Sequence, residues 1–117
     1  MSRPSGWSVR VSPDVDDAIL AVARRDSSAR LVTDVLAGFD RLARSGTRAT
    51  GVKKLRSLDL WEIRLGDYRA YFCPVPGTDL LAVGVLEAKR TRRLRMERIK
   101  TIERKVHGWR DSLAAQP

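Results

Sequence analysis

The amino-acid sequence predicts an α+β protein, in which a small sheet of about four strands carries an N-terminal helical hairpin and a C-terminal basic helix. Residues 7–11 and 60–72 alternate apolar with polar side chains, as strands do. Between them lie two stretches with apolar residues at helical spacing, and a third such stretch, rich in arginine and lysine, closes the chain. We expect the strands to be mainly antiparallel, with a mixed edge.

The length and composition favour one folded domain. The chain has 117 residues, of which 43% are hydrophobic, and this suffices for a modest core. We therefore predict a single domain over residues 1–117, with residues 1–6 as a loose tail.

The first elements are a strand and a helix. Residues 7–11 (WSVRV) are predicted to form the strand. Ser12 suits the N-cap of the following helix, with Pro13 at its first position and acidic residues in its first turn. The apolar stripe of this helix consists of Val15, Ala18, Ile19, Val22 and Ala23.

A second helix completes the predicted hairpin. Residues 26–28 (DSS) offer its N-cap, and Gly46 follows its last apolar residue, as a C-terminal glycine does. Its stripe consists of Leu31, Val32, Val35, Leu36, Phe39, Leu42 and Ala43. We expect both helices to pack against the sheet.

The segment 60–72 (LWEIRLGDYRAYF) is predicted to be a β-hairpin that turns at Gly66 and Asp67. Side chains alternate across a strand, so Trp61, Ile63 and Leu65 can face the core together with Tyr68, Ala70 and Phe72. The opposite face then carries Glu62, Arg64, Arg69 and Tyr71. Two guanidiniums, a carboxylate and a phenol on one platform can bind phosphate and move protons. The alternative interpretation is a solvated face with a cross-strand Glu–Arg pair.

The flanking segments are less distinctive. Residues 47–50 suggest a linker, and residues 52–56 a basic approach to the hairpin, where Lys53 and Lys54 face either nucleic acid or solvent. Residues 74–79 suggest a turn. The apolar run Leu80 to Leu86 is typical of a strand buried on both faces and lying inside the sheet.

The last helix is amphipathic and basic. Its predicted apolar seam, with Leu94 near the start, consists of Ile99, Ile102, Val106, Trp109 and Leu113. Basic residues crowd its beginning, namely Lys89, Arg90, Arg92, Arg93, Arg95, Arg98 and Lys100. They outnumber the nearby acids, which favours a polyanion-binding role over internal ion pairs.

The net charge of +9 and the pI of about 10.8 also indicate a polyanionic partner. Nucleic acid is the first candidate, although an acidic protein or an anionic membrane surface fits the charge as well. Cys73 is the only cysteine and His107 the only histidine, so a disulfide is excluded within the chain, zinc ligands are few, and we expect metal-free chemistry. No apolar run approaches the roughly 20 residues of a membrane span, and no signal peptide is evident, so we predict a cytoplasmic protein.

The order of the elements, the segment WEIRLGDYRAYF and the later AKRTRR resemble the RelE/ParE superfamily of bacterial toxins, and the HigB-like branch in particular. The resemblance covers nearly the whole chain by element order and Lys53 to Arg95 by motif. It implies a RelE-like fold and the toxin of a type II toxin–antitoxin system. Such a toxin is an endoribonuclease, a hydrolase that cleaves mRNA at the ribosome and inhibits translation without a cofactor. Its partners are mRNA, the ribosome and a cognate antitoxin.

The resemblance also implies residue roles. Arg64 matches a basic catalytic position, Arg69 matches the arginine that supports the scissile phosphate, and Arg90, beside Lys89, matches the basic residue after the last strand. Glu62 stands where RelE has a catalytic lysine and HigB-like members have glutamate. The tyrosine that RelE carries early in its last helix falls near Met96, which has no group for proton transfer.

The expected reaction is attack of an RNA 2′-hydroxyl on the adjacent phosphate. Arg64 and Arg69 would stabilise the charge on the phosphate, with Arg90 or Lys89 completing the clamp, while Glu62 would act as base and Tyr71 as acid or stacking partner. The predicted RNA-binding residues are Lys53, Lys54, Tyr71, Arg92, Arg93 and Arg95. Two alternatives remain open: a ParE-like inhibitor of DNA gyrase and a nucleic-acid-binding module without catalysis.

Overall fold

The computed structural model describes residues 6–25, 29–55, 58–88 and 96–116. The helices and strands are β1 (Ser8–Val11), α1 (Pro13–Arg25), α2 (Arg30–Ser45), β2 (Val52–Lys54), β3 (Trp61–Leu65), β4 (Tyr68–Pro74), β5 (Leu80–Ala88) and α3 (Met96–Ala114), with a short 3-10 turn at Gly46–Arg48. The predicted α+β class is confirmed.

The sheet has five strands in the order β1-β5-β4-β3-β2. β1 pairs with β5 in parallel, and the other neighbours are antiparallel, so the mixed edge is confirmed. The additional strand is β2, in the segment interpreted from sequence as a basic approach. Its three residues are too few to produce a recognisable alternation.

β5 is the strand around which the two layers of helices are arranged. It lies between β1 and β4, and its residues from Leu81 to Leu86 are all buried, so the predicted position inside the sheet is confirmed. Gly84 allows α3 to approach closely, because a Cβ at Gly84 would lie 2.8 Å from the Val106 Cα.

The helical hairpin covers one face of the sheet. Val15, Val35 and Leu42 pack there with Ile63 and Phe72, in the largest cluster of the core. Packing of the two predicted helices against a sheet is thereby confirmed, and the hydrophobic area removed from water is what stabilises this layer.

Capping residues near the helix ends account for where α1 begins and where α2 ends. The Val15 amide donates to Ser12 Oγ at 3.2 Å, which confirms Ser12 as N-cap of α1. Gly46 takes φ 58° and its amide donates to the Leu42 carbonyl, as predicted for the end of α2. The residue before α2 is Ala29, with φ 59° and no side-chain cap; the predicted cap at 26–28 lies outside the described residues.

Two stripe residues were predicted wrongly. Ala23 is exposed, because it follows the buried Val22 by one position and therefore projects away from the core. Leu36 is 54% exposed for the same reason, since it follows the fully buried Val35.

α3 covers the opposite face of the sheet. Ile102 and Val106 pack there against Tyr71 and Cys73, while Leu113 packs on the neighbouring Val75. The predicted seam is confirmed from Ile99 onward; Leu94 lies outside the described residues. In the described part of the chain, the helices are too short or too polar to cross a membrane.

Candidate phosphate-binding site

The register of the central hairpin places the predicted site residues on one face. Glu62 lies opposite Tyr71, and Arg64 lies opposite Arg69. Gly66 takes φ 66° in the two-residue turn that sets this register, a conformation that glycine adopts without strain. The prediction that these four side chains share a face is confirmed, and the face is the one on which α3 packs.

Neighbouring strands extend the platform on both sides. On β2, Lys53 is the partner of Glu62, and on β5, Glu87 is the partner of Arg69. The result is a row of Lys53, Glu62 and Tyr71, and beside it a row of Arg64, Arg69 and Glu87. We call these six residues the cationic platform.

Glu62 is the buried anchor of the cationic platform. Its Oε1 lies 3.4 Å from Arg69 Nη1 and 3.5 Å from Lys53 Nζ. The Glu62 side chain is only 3% exposed, against 18% for Arg69 and 65% for Lys53. The Glu–Arg pair of the alternative interpretation therefore exists, but it is enclosed rather than solvated.

Arg64 differs from its neighbours because its side chain is exposed and has no ion-pair partner in the described part of the chain. Its backbone is held firmly: the amide donates to the Gly51 carbonyl, and Arg41 Nη2 donates to the Arg64 carbonyl at 2.9 Å. Arg64 lies directly opposite Arg69 in the register of β3 and β4. Like charges on facing residues repel, so a bound anion would stabilise the pair.

α3 contributes to the site through Arg98, which forms an ion pair with Glu87. Four buried polar atoms of this region have no hydrogen-bond partner within the described residues, namely Glu62 Oε2, Arg69 Nε, Glu87 Oε1 and Arg98 Nε. Buried polar groups normally have a partner, so this unmet hydrogen-bonding capacity leaves room for ordered water or a bound ion. Two of these atoms are guanidinium donors, which suit phosphate oxygens.

Tyr71 lies beneath this layer and is 1% exposed. Burial, together with the negative charges of Glu62 and Glu87, raises the pKa of the Tyr71 phenol well above its ordinary value, although Arg69 opposes the shift. The phenol is therefore protonated at neutral pH. Its ring packs against the core, which argues against the base stacking predicted for Tyr71.

The remaining predicted residues are distributed differently. Lys54 Nζ lies 5.2 Å from the centre of the Trp61 ring, so Lys54 joins an aromatic contact rather than the cationic platform. Met96 begins α3 and is 49% exposed. The residues Lys89, Arg90, Arg92, Arg93 and Arg95 lie outside the described part of the chain.

Sequence reasoning missed Glu87 as a member of the site. It is the only charged residue of β5, and it follows a run of apolar residues directly. A single carboxylate at the end of a buried strand needs a cation or a hydrogen-bond donor nearby, and this need could have identified Glu87 from the sequence.

A second group of reactive side chains lies elsewhere on the α3 face. Asp59, Cys73 and His107 place one potential ligand atom each within 4.8 Å of one another. From the sequence, zinc ligands were predicted to be few. That prediction did not consider that the single cysteine and the single histidine lie close together in the fold.

Compared with known proteins, the sequence matches no family model and no curated protein.

Proposed function

We propose that this protein is the toxin of a type II toxin–antitoxin system and acts as an endoribonuclease that cleaves mRNA at the ribosome without a metal ion. One observation carries the proposal: Arg64, exposed and without an ion-pair partner among the described residues, lies directly opposite the partly buried Arg69. The net charge of +9 adds long-range attraction for RNA. The resemblance to RelE-like toxins in element order and motif supplies the reaction class.

In the proposed reaction, the RNA 2′-oxygen forms a bond to the adjacent phosphorus and the bond from phosphorus to the 5′-oxygen breaks. The 2′-hydroxyl gives up its proton to a base, the leaving 5′-oxygen takes up a proton from water, and the products are a 2′,3′-cyclic phosphate and a 5′-hydroxyl. Arg64 and Arg69 stabilise the charge that develops on the phosphate, since a guanidinium donates in a fork and does not give up its proton near neutral pH. By the resemblance, Arg90 or Lys89, which lie outside the described residues, would complete this clamp.

Glu62 has two possible roles in this scheme. A base must reach the 2′-hydroxyl, but the Glu62 carboxylate is 3% exposed and is held between Arg69 and Lys53. The geometry therefore favours Glu62 as the residue that positions the Arg69 guanidinium. Its role as general base requires the Lys53 side chain, which is largely exposed, to move aside when RNA binds.

The partners follow from the same proposal. The toxin acts in the cytoplasm on mRNA and the ribosome, and a cognate antitoxin neutralises it. Acidic side chains of the antitoxin would suit the cationic platform, because opposite potentials favour association.

A nucleic-acid-binding module without catalysis is the second candidate, and two observations favour it. Glu62 and Tyr71 are 2% and 1% exposed, and Met96 offers no proton-transfer group. A protein of this kind would bind RNA through Arg64, Arg69 and Lys53 and leave it intact.

Induced expression in a bacterium, with mapping of new mRNA 5′ ends, tests the proposal. We expect the wild type to arrest growth and to produce new ends inside coding regions, and Arg69→Ala to produce neither. Arg24→Ala is the matched control, because it removes the same charge from an exposed position on α1, across the sheet from the cationic platform.

Three outcomes would overturn the proposal. Identical ends from Arg69→Ala would remove the platform from the reaction. Arrest with gyrase inhibition and no new ends would favour the ParE-like activity. Salt-sensitive RNA binding without arrest or cleavage would favour the binding module.

A further inference from the structure

Among the residues that the structure describes, one group of three metal-ligating side chains consists of residues outside the cationic platform. Asp59 precedes β3, Cys73 belongs to β4, and His107 belongs to α3. These three segments are distant in sequence, yet a carboxylate oxygen, the Cys73 Sγ and a ring nitrogen of His107 all lie within 4.8 Å of one another. The chain contains only one cysteine and one histidine, and the fold brings them together.

We propose that Asp59, Cys73 and His107 form a zinc-binding site that fastens α3 to the sheet. Thiolate, imidazole and carboxylate are the three ligand types that Zn²⁺ takes from proteins. Ligand bonds of about 2.0–2.3 Å in tetrahedral geometry place the ligand atoms about 3.3–3.8 Å apart. Closing separations of at most 4.8 Å to this range takes a contraction of no more than about 1–1.5 Å, which completes the site.

The hydrogen bond of His107 determines which of its ring nitrogens is available to a metal. His107 Nε2 lies 2.7 Å from the Asp59 backbone carbonyl, and since a carbonyl oxygen only accepts, Nε2 carries the proton. The other ring nitrogen, Nδ1, then keeps its lone pair, and the proposed site takes Nδ1 as the His107 ligand atom. A hydrogen bond from the remaining ring N–H to a backbone carbonyl is the usual outer partner of a zinc-bound histidine.

Access to the group also suits an ion. Cys73 is fully buried, whereas the Asp59 side chain is 46% exposed, so the site opens to solvent on the Asp59 side and leaves a coordination position for water. Arg110 Nη1 lies 3.2 Å from Asp59 Oδ2 and competes for that carboxylate. Arg110 also pairs with Asp111 at 3.0 Å, so it retains an acidic partner when Asp59 turns to the metal.

Titration of the full-length protein with Co²⁺ tests the site directly. Cobalt bound to a thiolate gives an intense sulfur-to-metal charge-transfer absorption, and only Cys73 can supply that sulfur. We expect this absorption to saturate at one Co²⁺ per chain, to be independent of protein concentration and to disappear when Zn²⁺ is added. Zn²⁺ should also raise the midpoint of thermal unfolding, because it binds the folded state.

Two isosteric or near-isosteric variants supply the controls. Asp59→Asn and His107→Gln should each weaken Co²⁺ binding by more than about tenfold, since even the outer partners of a zinc site are worth that much. Circular dichroism checks that the variants are folded. Glu97→Gln is the matched control, because it removes an exposed carboxylate from α3 outside the group.

The proposal is independent of the proposed nuclease activity, and metal binding is read without RNA. Absence of the charge-transfer absorption in the folded wild type would overturn it. Equal Co²⁺ affinity of the wild type, Asp59→Asn and His107→Gln would also overturn it, because the absorption would then come from Cys73 alone.

Discussion

The side chains of the cationic platform differ in burial: Glu62 and Tyr71 are 2% and 1% exposed, whereas Arg64 is exposed. The period of two and the turn at Gly66 predicted that Glu62, Arg64, Arg69 and Tyr71 share a face, and the register confirms it. Their burial could not be predicted, because it depends on where α3 docks. The same face could have been open to solvent, as the alternative interpretation assumed.

The burial of Tyr71 can be tested by measuring the free energy of unfolding at high pH. The pKa of the Tyr71 phenol is raised in the folded state, so above about pH 10 the unfolded chain loses this proton while the folded chain keeps it. The contribution of the protonated Tyr71 phenol to the free energy of unfolding is therefore fully present below pH 10. It is lost as the pH rises, by up to about 1.4 kcal/mol per pH unit.

Chemical denaturation of the wild type and Tyr71→Phe at a series of pH values measures this effect. The free energy of unfolding of the wild type should fall more steeply above pH 10 than that of Tyr71→Phe, which has no phenol at position 71. Parallel curves for the two proteins would show that the phenol is not shielded as described.

Of the helices and strands, α3 was predicted from the sequence and β2 was not. α3 was predicted because five apolar residues repeat at helical spacing between Ile99 and Leu113, whereas β2 has three residues and gives no pattern. The meeting of Cys73 with His107 could not be predicted either. It depends on the docking of α3 onto β4, and neither element encodes that by itself.

Gly84 sets how closely α3 approaches β5, and this can be tested by a pair of glycine variants. In Gly84→Ala, the new Cβ would lie 2.8 Å from the Val106 Cα and 3.2 Å from the Lys105 carbonyl oxygen. These are backbone atoms and cannot move aside by a rotamer change. We expect Gly84→Ala to lower the free energy of unfolding by about 1–3 kcal/mol, the range for overpacked cores.

Gly108→Ala is the control for that prediction. Gly108 lies within α3, and a Cβ there meets no atom of the described residues within 4 Å. This substitution should raise the free energy of unfolding by about 0.4–1 kcal/mol, because alanine favours the helix. Denaturant melts measure both variants, and a stable Gly84→Ala would contradict the close packing of α3.

The distribution of charge over the complete chain determines where the protein binds a polyanion and how strongly. A net charge of +9 attracts any nucleic acid, so affinity alone does not identify a site. What separates the cationic platform from the rest of the surface is Arg64, exposed beside Arg69, while α1 and α2 lie across the sheet.

Salt dependence distinguishes a localised site from diffuse attraction. The slope of log affinity for single-stranded RNA against log salt concentration should fall by about 0.7 in Arg64→Ala, as expected for one lost phosphate contact. Arg24→Ala should leave the slope unchanged. Fluorescence anisotropy with a labelled oligonucleotide measures both, and equal losses in the two variants would indicate diffuse attraction instead.

The most direct test of the account compares the wild type with Arg64→Ala in a cell-free translation system and determines the chemistry of the new RNA ends. Arg64 has no ion pair among the described residues, so its replacement should change the free energy of unfolding by less than about 0.5 kcal/mol. We predict 5′-hydroxyl and 2′,3′-cyclic phosphate ends with the wild type and Arg24→Ala, and at least a hundredfold fewer with Arg64→Ala, as for loss of one charge-stabilising donor. Equal cleavage by folded Arg64→Ala, or intact mRNA with the folded wild type, would contradict the account.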